Sequence, residues 1–340
     1  MYIQNPENFE PEVLSEIEHI FQETSSDGKL IYPSLNTYEE RKFINGIIRQ
    51  VKPKKILEVG VAAGGSSAII LNAIKDIEGS KLYSIDYLEK WWEEPSKNIG
   101  YIVEEEFSNL MNKWTIYRGG VVAKFIEDIG NNIDFCFLDA SHYTPGEFLD
   151  FLMVLPFLKK NAVVMIHDVI LEYVTNYHRP GCYHPLVNLE HYYEIVPNSV
   201  LFSLIKGKKI TMDSNYFEGV GNIGAVILDD DIMEYLFDYF FILTLQWSYM
   251  PTEDDINYMI KLFSKYYDKK LLDIFLSVVE RNKKIFNDDI LKDLKNLRNV
   301  NFINDREKRL NQFLNSIAWW IPIRKLRDNF RNKILYGEKK

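Results

Sequence analysis

Cysteine is nearly missing from this chain, which has two, Cys136 and Cys182, in 340 residues. Two thiols supply no disulfide framework, and Cys136 stands in an apolar run, Asp134-Phe-Cys-Phe-Leu138, that reads as a buried strand; both observations fit a reducing cytoplasm. No stretch approaches the ~20 apolar residues of a membrane span. The start, Met1-Tyr-Ile-Gln-Asn-Pro-Glu7, lacks a basic segment followed by an apolar run, so neither export nor membrane insertion is predicted. An excess of positive charge is missing too. The net charge is -9, which argues against general nucleic-acid affinity. Nothing repeats at a fixed period, and no low-complexity linker interrupts the chain. With 46% hydrophobic residues, it has ample material for the core of one large or two small domains.

What is present is a glycine-rich turn between a short apolar strand and a helix, Lys54-Lys-Ile-Leu-Glu-Val-Gly-Val-Ala-Ala-Gly-Gly-Ser-Ser67. Glycines at 60, 64 and 65 can take positive φ and let a ligand approach the backbone with no Cβ in the way. The spacing Glu58-x-Gly60-x-x-x-Gly64 differs from the Gly-x-Gly-x-x-Gly of dinucleotide binders. Asp86 ends the next strand, Lys81-Leu-Tyr-Ser-Ile-Asp86, about 20 residues on, where an acid can accept both hydroxyls of a ribose. A turn that merely joins strand to helix is the other reading of the glycines.

These residues resemble the first motif of S-adenosylmethionine-dependent methyltransferases of the Rossmann-like class, Glu-x-Gly-x-x-x-Gly after a Leu/Ile strand. The resemblance implies S-adenosyl-L-methionine lying over Gly60 to Ser66, with Glu58, Gly60, Ala62, Gly64, Gly65 and Ser66 forming the cradle and Asp86 on the ribose.

The rest of the pattern alternates strand and helix. Helical spacing covers Pro11 to Phe21 and Tyr38 to Val51, a lead-in or lid over residues 1–53. Strands follow at Ile56 to Val59, Leu82 to Asp86, Thr115 to Tyr117, Ile133 to Asp139 and Ala162 to Ile166, with helices between them. Val200 to Ile205 and Gly224 to Leu228 are the candidates that complete seven strands. The expected fold is α/β, a Rossmann-like doubly wound and mostly parallel seven-stranded sheet over residues 54–230. A helical extension covers 231–316 and a basic amphipathic tail 317–340. Ligand chemistry belongs at the carboxyl ends of the strands.

Two strands end there in polar groups, Phe135-Cys-Phe-Leu-Asp139-Ala-Ser-His142 and Val163-Val-Met-Ile-His167-Asp168. Paired Asp139 and Asp168 suit a hard divalent cation such as Mg²⁺; capping of the following turn or helix is the alternative. His142 follows Asp139 in a turn and titrates near neutrality, so it is a candidate base for an acceptor hydroxyl, or a histidine bonded to its own loop. The spacing Asp139-x-x-His142 followed by His167-Asp168 is similar to the branch that methylates sugar hydroxyls, the macrocin-type and cephalosporin hydroxylase-like proteins. That resemblance covers roughly residues 38 to 230. It implies Mg²⁺ on Asp139, Asp168 and the position of His167, with His142 as base; macrocin-type enzymes offer another acid where this chain has His167, and imidazole is a poorer partner for Mg²⁺.

Other candidates flank this centre. Gly119 and Gly120, after Arg118, offer backbone groups to an adenine edge or form a plain turn. Tyr87, Trp91 and Trp92 either stack on adenine or a sugar or pack under a loop. The polar-aromatic stretch Tyr173 to His191, with His178, Arg179 and His184, is placed to recognise an acceptor. In the tail, Trp319 and Trp320 precede a basic helix; residues 317–340 carry seven Lys and Arg against two acids. That pattern suits a membrane interface or docking on the protein itself, and it resembles the tails of bacterial surface-polysaccharide enzymes. The combined expectation is a cytoplasmic O-methyltransferase, active at the inner face of the membrane, on a carbohydrate or glycan precursor. An NAD-dependent oxidoreductase and a non-catalytic partner in glycan assembly are the alternatives, and a homo-oligomer is compatible with either.

Overall fold

The computed structural model describes residues 3–21, 36–170, 198–214, 219–245 and 247–287. Met1–His184 with Tyr193–Asn282 form one compact unit. The second, Pro185–Tyr192 with Lys283–Lys340, is described only at 283–287, the end of a helix. The acceptor-loop candidates Tyr173 to Tyr192 and the tail 317–340 lie outside the described residues.

Seven strands form one sheet: β1 (Lys55–Val59), β2 (Lys81–Asp86), β3 (Trp114–Arg118), β4 (Ile133–Leu138), β5 (Leu158–His167), β6 (Gly207–Ser214) and β7 (Gly219–Leu228). Their order is β3-β2-β1-β4-β5-β7-β6. The first five strands are parallel, and β7 runs antiparallel to both β5 and β6. This is the expected Rossmann-like, mostly parallel architecture. The chain reverses its direction of winding between β1 and β4, so their carboxyl ends border the crevice where open α/β sheets bind ligands.

The central strands are apolar along their length because helices cover both faces. Ile56, Leu57 and every residue from Phe135 to Leu138 and from Val163 to Ile166 are buried. Helices α1 (Pro11–Ser15), α2 (Tyr38–Val51), α3 (Gly65–Ala73), α4 (Tyr101–Glu106), α5 (Val122–Ile129) and α6 (Gly146–Val154) complete this part. The stripe Phe43, Ile44, Ile47 and Ile48 is the fully buried face of α2. Its start is fixed by a capping box: the Glu40 N–H donates to Thr37 Oγ1 and the Thr37 N–H to Glu40 Oε2.

One strand assignment is corrected. Residues 200–205 lie in the helix Asn198–Leu204 and the turn after it, and the edge strand is Gly207–Ser214. The apolar run Val-Leu-Phe-Ser-Leu-Ile reads equally as strand or helix. The true edge strand begins Gly-Lys-Lys, and charge on an edge strand blocks pairing with other chains while hiding its alternation. Pro11 to Phe21 is likewise α1 followed by a tighter turn, Glu18–Phe21.

After β7 come helices Leu236–Phe241, Glu253–Tyr266 and Lys269–Asn287. Phe240, Phe263, Tyr267 and Phe275 meet edge to face, with centroids 4.9–5.6 Å apart. The Tyr267 hydroxyl donates to the Leu152 carbonyl at 2.5 Å, joining this extension to α6. No described helix is long and apolar enough to cross a membrane.

Candidate active site

The glycine turn is built from beneath by Glu58. This buried carboxylate accepts hydrogen bonds from Ser66 Oγ (2.7 Å), Ser67 Oγ (2.5 Å) and Ser84 Oγ (2.7 Å), and Ser84 in turn accepts from Trp114 Nε1 (2.9 Å). Burial pushes Glu58 up to about 7, against the pull of the three hydroxyls. Glu58 therefore ties β1, β2 and the start of α3 together. The sequence motif singled out Glu58 and Ser66; Ser67 and Ser84 carried no signal.

Gly60 and Gly64 lie at φ +92° and +104°. A Cβ on Gly60 would fall 1.9 Å from the Asp139 carbonyl oxygen, and one on Gly64 3.0 Å from Gly100 Cα. The space these glycines leave is taken by the protein's own backbone. Asp86 likewise serves the turn: Oδ2 accepts from the Val61 and Ala62 N–H groups (2.9 and 3.0 Å), and Oδ1 from the Leu88 N–H (2.8 Å). A carboxylate has about four acceptor sites, so one remains for a ribose hydroxyl rather than the two expected.

The flanking candidates divide. Trp91 is buried against Tyr101, while Tyr87 and Trp92 are about half exposed. The Tyr87 hydroxyl reaches Asp255 Oδ2 at 3.3 Å. The Gly119 N–H donates to the Asp86 carbonyl and its carbonyl accepts from Lys124 Nζ, so this glycine's backbone is already committed. The guanidinium of Arg118 binds the Ile99 carbonyl and Glu104.

Asp139, His142 and Asp168 converge at the carboxyl ends of β4 and β5, each offering a ligand atom within 4.8 Å of the others. His142 lies between two carboxylates, with Nδ1 3.2 Å from Glu147 Oε1 and Nε2 3.2 Å from Asp168 Oδ2. Burial alone would lower its proton affinity, but Asp168, Glu147 and Asp139 push it up to about 10. Asp168, at φ +56°, also accepts from Asn222 Nδ2 on β7. His167 lies directly against the two aspartates. Its side chain is 6% exposed, and its Nδ1 lies 3.4 Å from both Asp139 Oδ1 and Asp168 Oδ1. On the far side Nε2 meets Asn36 Nδ2 at 3.0 Å and Glu40 Oε1 at 3.6 Å. Desolvation disfavours charge on this ring, yet the two aspartates raise its proton affinity well above the ordinary value. His167 also holds Asp168 below the usual carboxylate range, overriding the burial that would raise it.

Asp139 and Asp168 offer two carboxylates to a divalent cation, and His142 can join them only as a neutral ring; His167 lies against both acids. Asn36, Glu40 and Glu147 were not singled out by the sequence. Glu40 follows Thr37 at capping-box spacing, a signal of helix structure that conceals its second contact.

No curated protein matches the chain. Among solved structures, it is similar to an O-methyltransferase of tomaymycin synthesis from Streptomyces achromogenes, in complex with SAM (14% identity, TM-score 0.43, 67% of this chain and 100% of that one). It is also similar to an O-methyltransferase from Bacillus cereus in complex with SAH (15%, 0.42, 64% and 90%) and to the SAH-bound methyltransferase PaMTH1 of Podospora anserina (16%, 0.44, 66% and 91%). Residues 57–169 match the family model of a methyltransferase domain, a span that runs from β1 to the end of β5 and includes Gly60, Asp86, Asp139, His142, Glu147 and Asp168. The matched span thus holds both the glycine turn and the acid and imidazole cluster beside it.

Proposed function

We propose that this protein transfers a methyl group from S-adenosyl-L-methionine to a sugar hydroxyl, in a surface glycan or its precursor. The observation that carries the reading is the convergence of Asp139, His142 and Asp168 beside the glycine turn of a methyltransferase domain. The turn and the remaining acceptor site of Asp86 would hold the cofactor, which supplies a sulfonium-bound methyl group whose C–S electron pair leaves with sulfur. Holding the acceptor oxygen in line and taking its proton is then the protein's task. Asp139 and Asp168 orient the hydroxyl, and His142 Nε2 faces the same space. A cation on Asp139 and Asp168 would offset the negative charge that holds a proton on His142, and so favour the ring as base. Sugar specificity and Mg²⁺ rest on the sequence resemblance and on this donor set.

The test begins with thermal stabilisation by S-adenosylmethionine against NAD at equal concentration. The expected result is a shift with the first only, followed by S-adenosylhomocysteine release with a panel of nucleotide sugars and glycan oligosaccharides. Stabilisation by NAD alone would point to the oxidoreductase alternative. Cofactor binding with release on a non-sugar alcohol or thiol, and none on sugars, would overturn the acceptor class.

A further inference from the structure

We infer that Glu147 is a positioning residue, fixing the ring orientation and working nitrogen of His142. The inference rests on the proposed role of His142 and extends it to a residue outside every motif in the sequence.

Glu147 is the second residue of α6, and its side chain is fully buried. Its Oε1 lies 3.2 Å from His142 Nδ1, while Oε2 is buried with no hydrogen-bond partner. Burial raises its proton affinity, and the facing imidazole pulls the other way. As a packing element this side chain is a poor choice. A buried, half-satisfied carboxylate loses solvation that an apolar group of equal volume would not need. Fold stability therefore does not account for it, whereas the facing ring does. When Glu147 is ionised it only accepts, and the 3.2 Å contact then places the proton on His142 Nδ1. With Nδ1 engaged by Glu147, the nitrogen that gives up its proton when the charged ring becomes neutral is Nε2, which faces Asp168 Oδ2 and the acid cluster at 3.2 Å. A carboxylate behind an imidazole is the general device by which a ring is held in one tautomer and made a better donor atom. The positions follow from the fold: His142 is in the loop after β4, and the N–H of Gly146, just before Glu147, donates to the Tyr143 carbonyl at 2.7 Å, so loop and helix start are held together.

The experiment is nitrogen-detected NMR of the full-length protein labelled at its six histidines, with His142 assigned by the lines lost in H142N. Wild type is expected to show a protonated, hydrogen-bonded Nδ1 as a far-downfield ring proton. Glu147→Gln keeps a carbonyl acceptor and should retain the proton with an upfield shift. Glu147→Met conserves volume, removes the acceptor, and should lose the line. A purely structural role would change the melting temperature of Glu147→Met and leave the ring lines unmoved, which overturns the inference. An unprotonated Nδ1 in wild type, or identical shifts in wild type and Glu147→Gln, also overturns it, and neither reading needs Glu147→Met to fold. The ring lines do not depend on turnover. If they behave as expected while S-adenosylhomocysteine never forms, the O-methyl reading fails and the positioning role stands.

Discussion

The Cα of Gly60 packs so closely on Asp139 that a Cβ at position 60 would lie 1.9 Å from the Asp139 carbonyl oxygen. The glycine turn and the loop of the first acid are thus in direct backbone contact, and a change at one must be felt at the other. Gly79 provides the control, because it also has positive φ (+72°) but has open space where its Cβ would be. Gly79→Ala should lose only the cost of the left-handed conformation, roughly 1–2 kcal/mol. Gly60→Ala adds a backbone displacement and should lose about 3 kcal/mol or more. Urea unfolding measures both, and equal losses would show that the junction between β1 and β4 yields freely.

Glu58 should make stability fall with pH. Its folded pKa, about 7, is above its ordinary 4.5, so between these values the folded state holds a proton that the unfolded state has released. The associated stability is complete below about pH 4.5 and is lost as pH rises through 7, in total about 3 kcal/mol. Glu58→Gln removes this titration while keeping the shape. The difference in unfolding free energy between wild type and Glu58→Gln should therefore change by that amount from pH 4 to 8. A difference that stays flat across this range would mean that the three serine hydroxyls hold Glu58 ionised throughout.

Under the proposed reading, Asp86 does two jobs with one carboxylate. It accepts three backbone N–H groups, from Val61, Ala62 and Leu88, and hydrogen bonds to a charged acceptor are worth roughly 1.5–3 kcal/mol each. Asp86→Ala should therefore destabilise the free protein by at least about 2 kcal/mol, besides weakening S-adenosylmethionine binding. A residue that only touched the ribose would leave unfolding without cofactor unchanged. Calorimetry and cofactor-free unfolding together separate the two roles.

The strand ends were legible in the sequence for a physical reason. In a βα alternation, an apolar run that stops at Asp, His or Gly marks a buried strand reaching the open edge of its sheet, and Asp86, Asp139, His142 and Asp168 all stand where that pattern places them. What escaped was contact between elements distant in sequence. Glu40 and Asn36 reach His167 across more than a hundred residues, and nothing in their local pattern marks this. Gly60 shows a subtler limit. Its identity announced a missing Cβ, but the occupant of the freed space is the carbonyl of Asp139.

His167 gives the sharpest test of the cluster. Its ring lies 3.4 Å from Asp139 and Asp168 and 3.6 Å from Glu40, so its charge is set against three carboxylates. Removing one partner of a buried ionic group strands the others, at a cost of about 3–5 kcal/mol. His167→Gln is therefore expected to lose that much stability near pH 6. The sign of the pH dependence follows from the raised folded pKa: the contribution is complete below the ordinary 6.5 and is lost as pH rises towards the folded value. The gap between wild type and His167→Gln should narrow as pH rises above 6.5. A cation bound at Asp139 and Asp168 would meet the repulsion of the same imidazolium. His167→Gln should accordingly bind Mn²⁺ more tightly than wild type, read by calorimetry at pH 7, even though it is the less stable protein. Weaker binding in the variant would make His167 a ligand, or a brace whose orienting effect outweighs its charge.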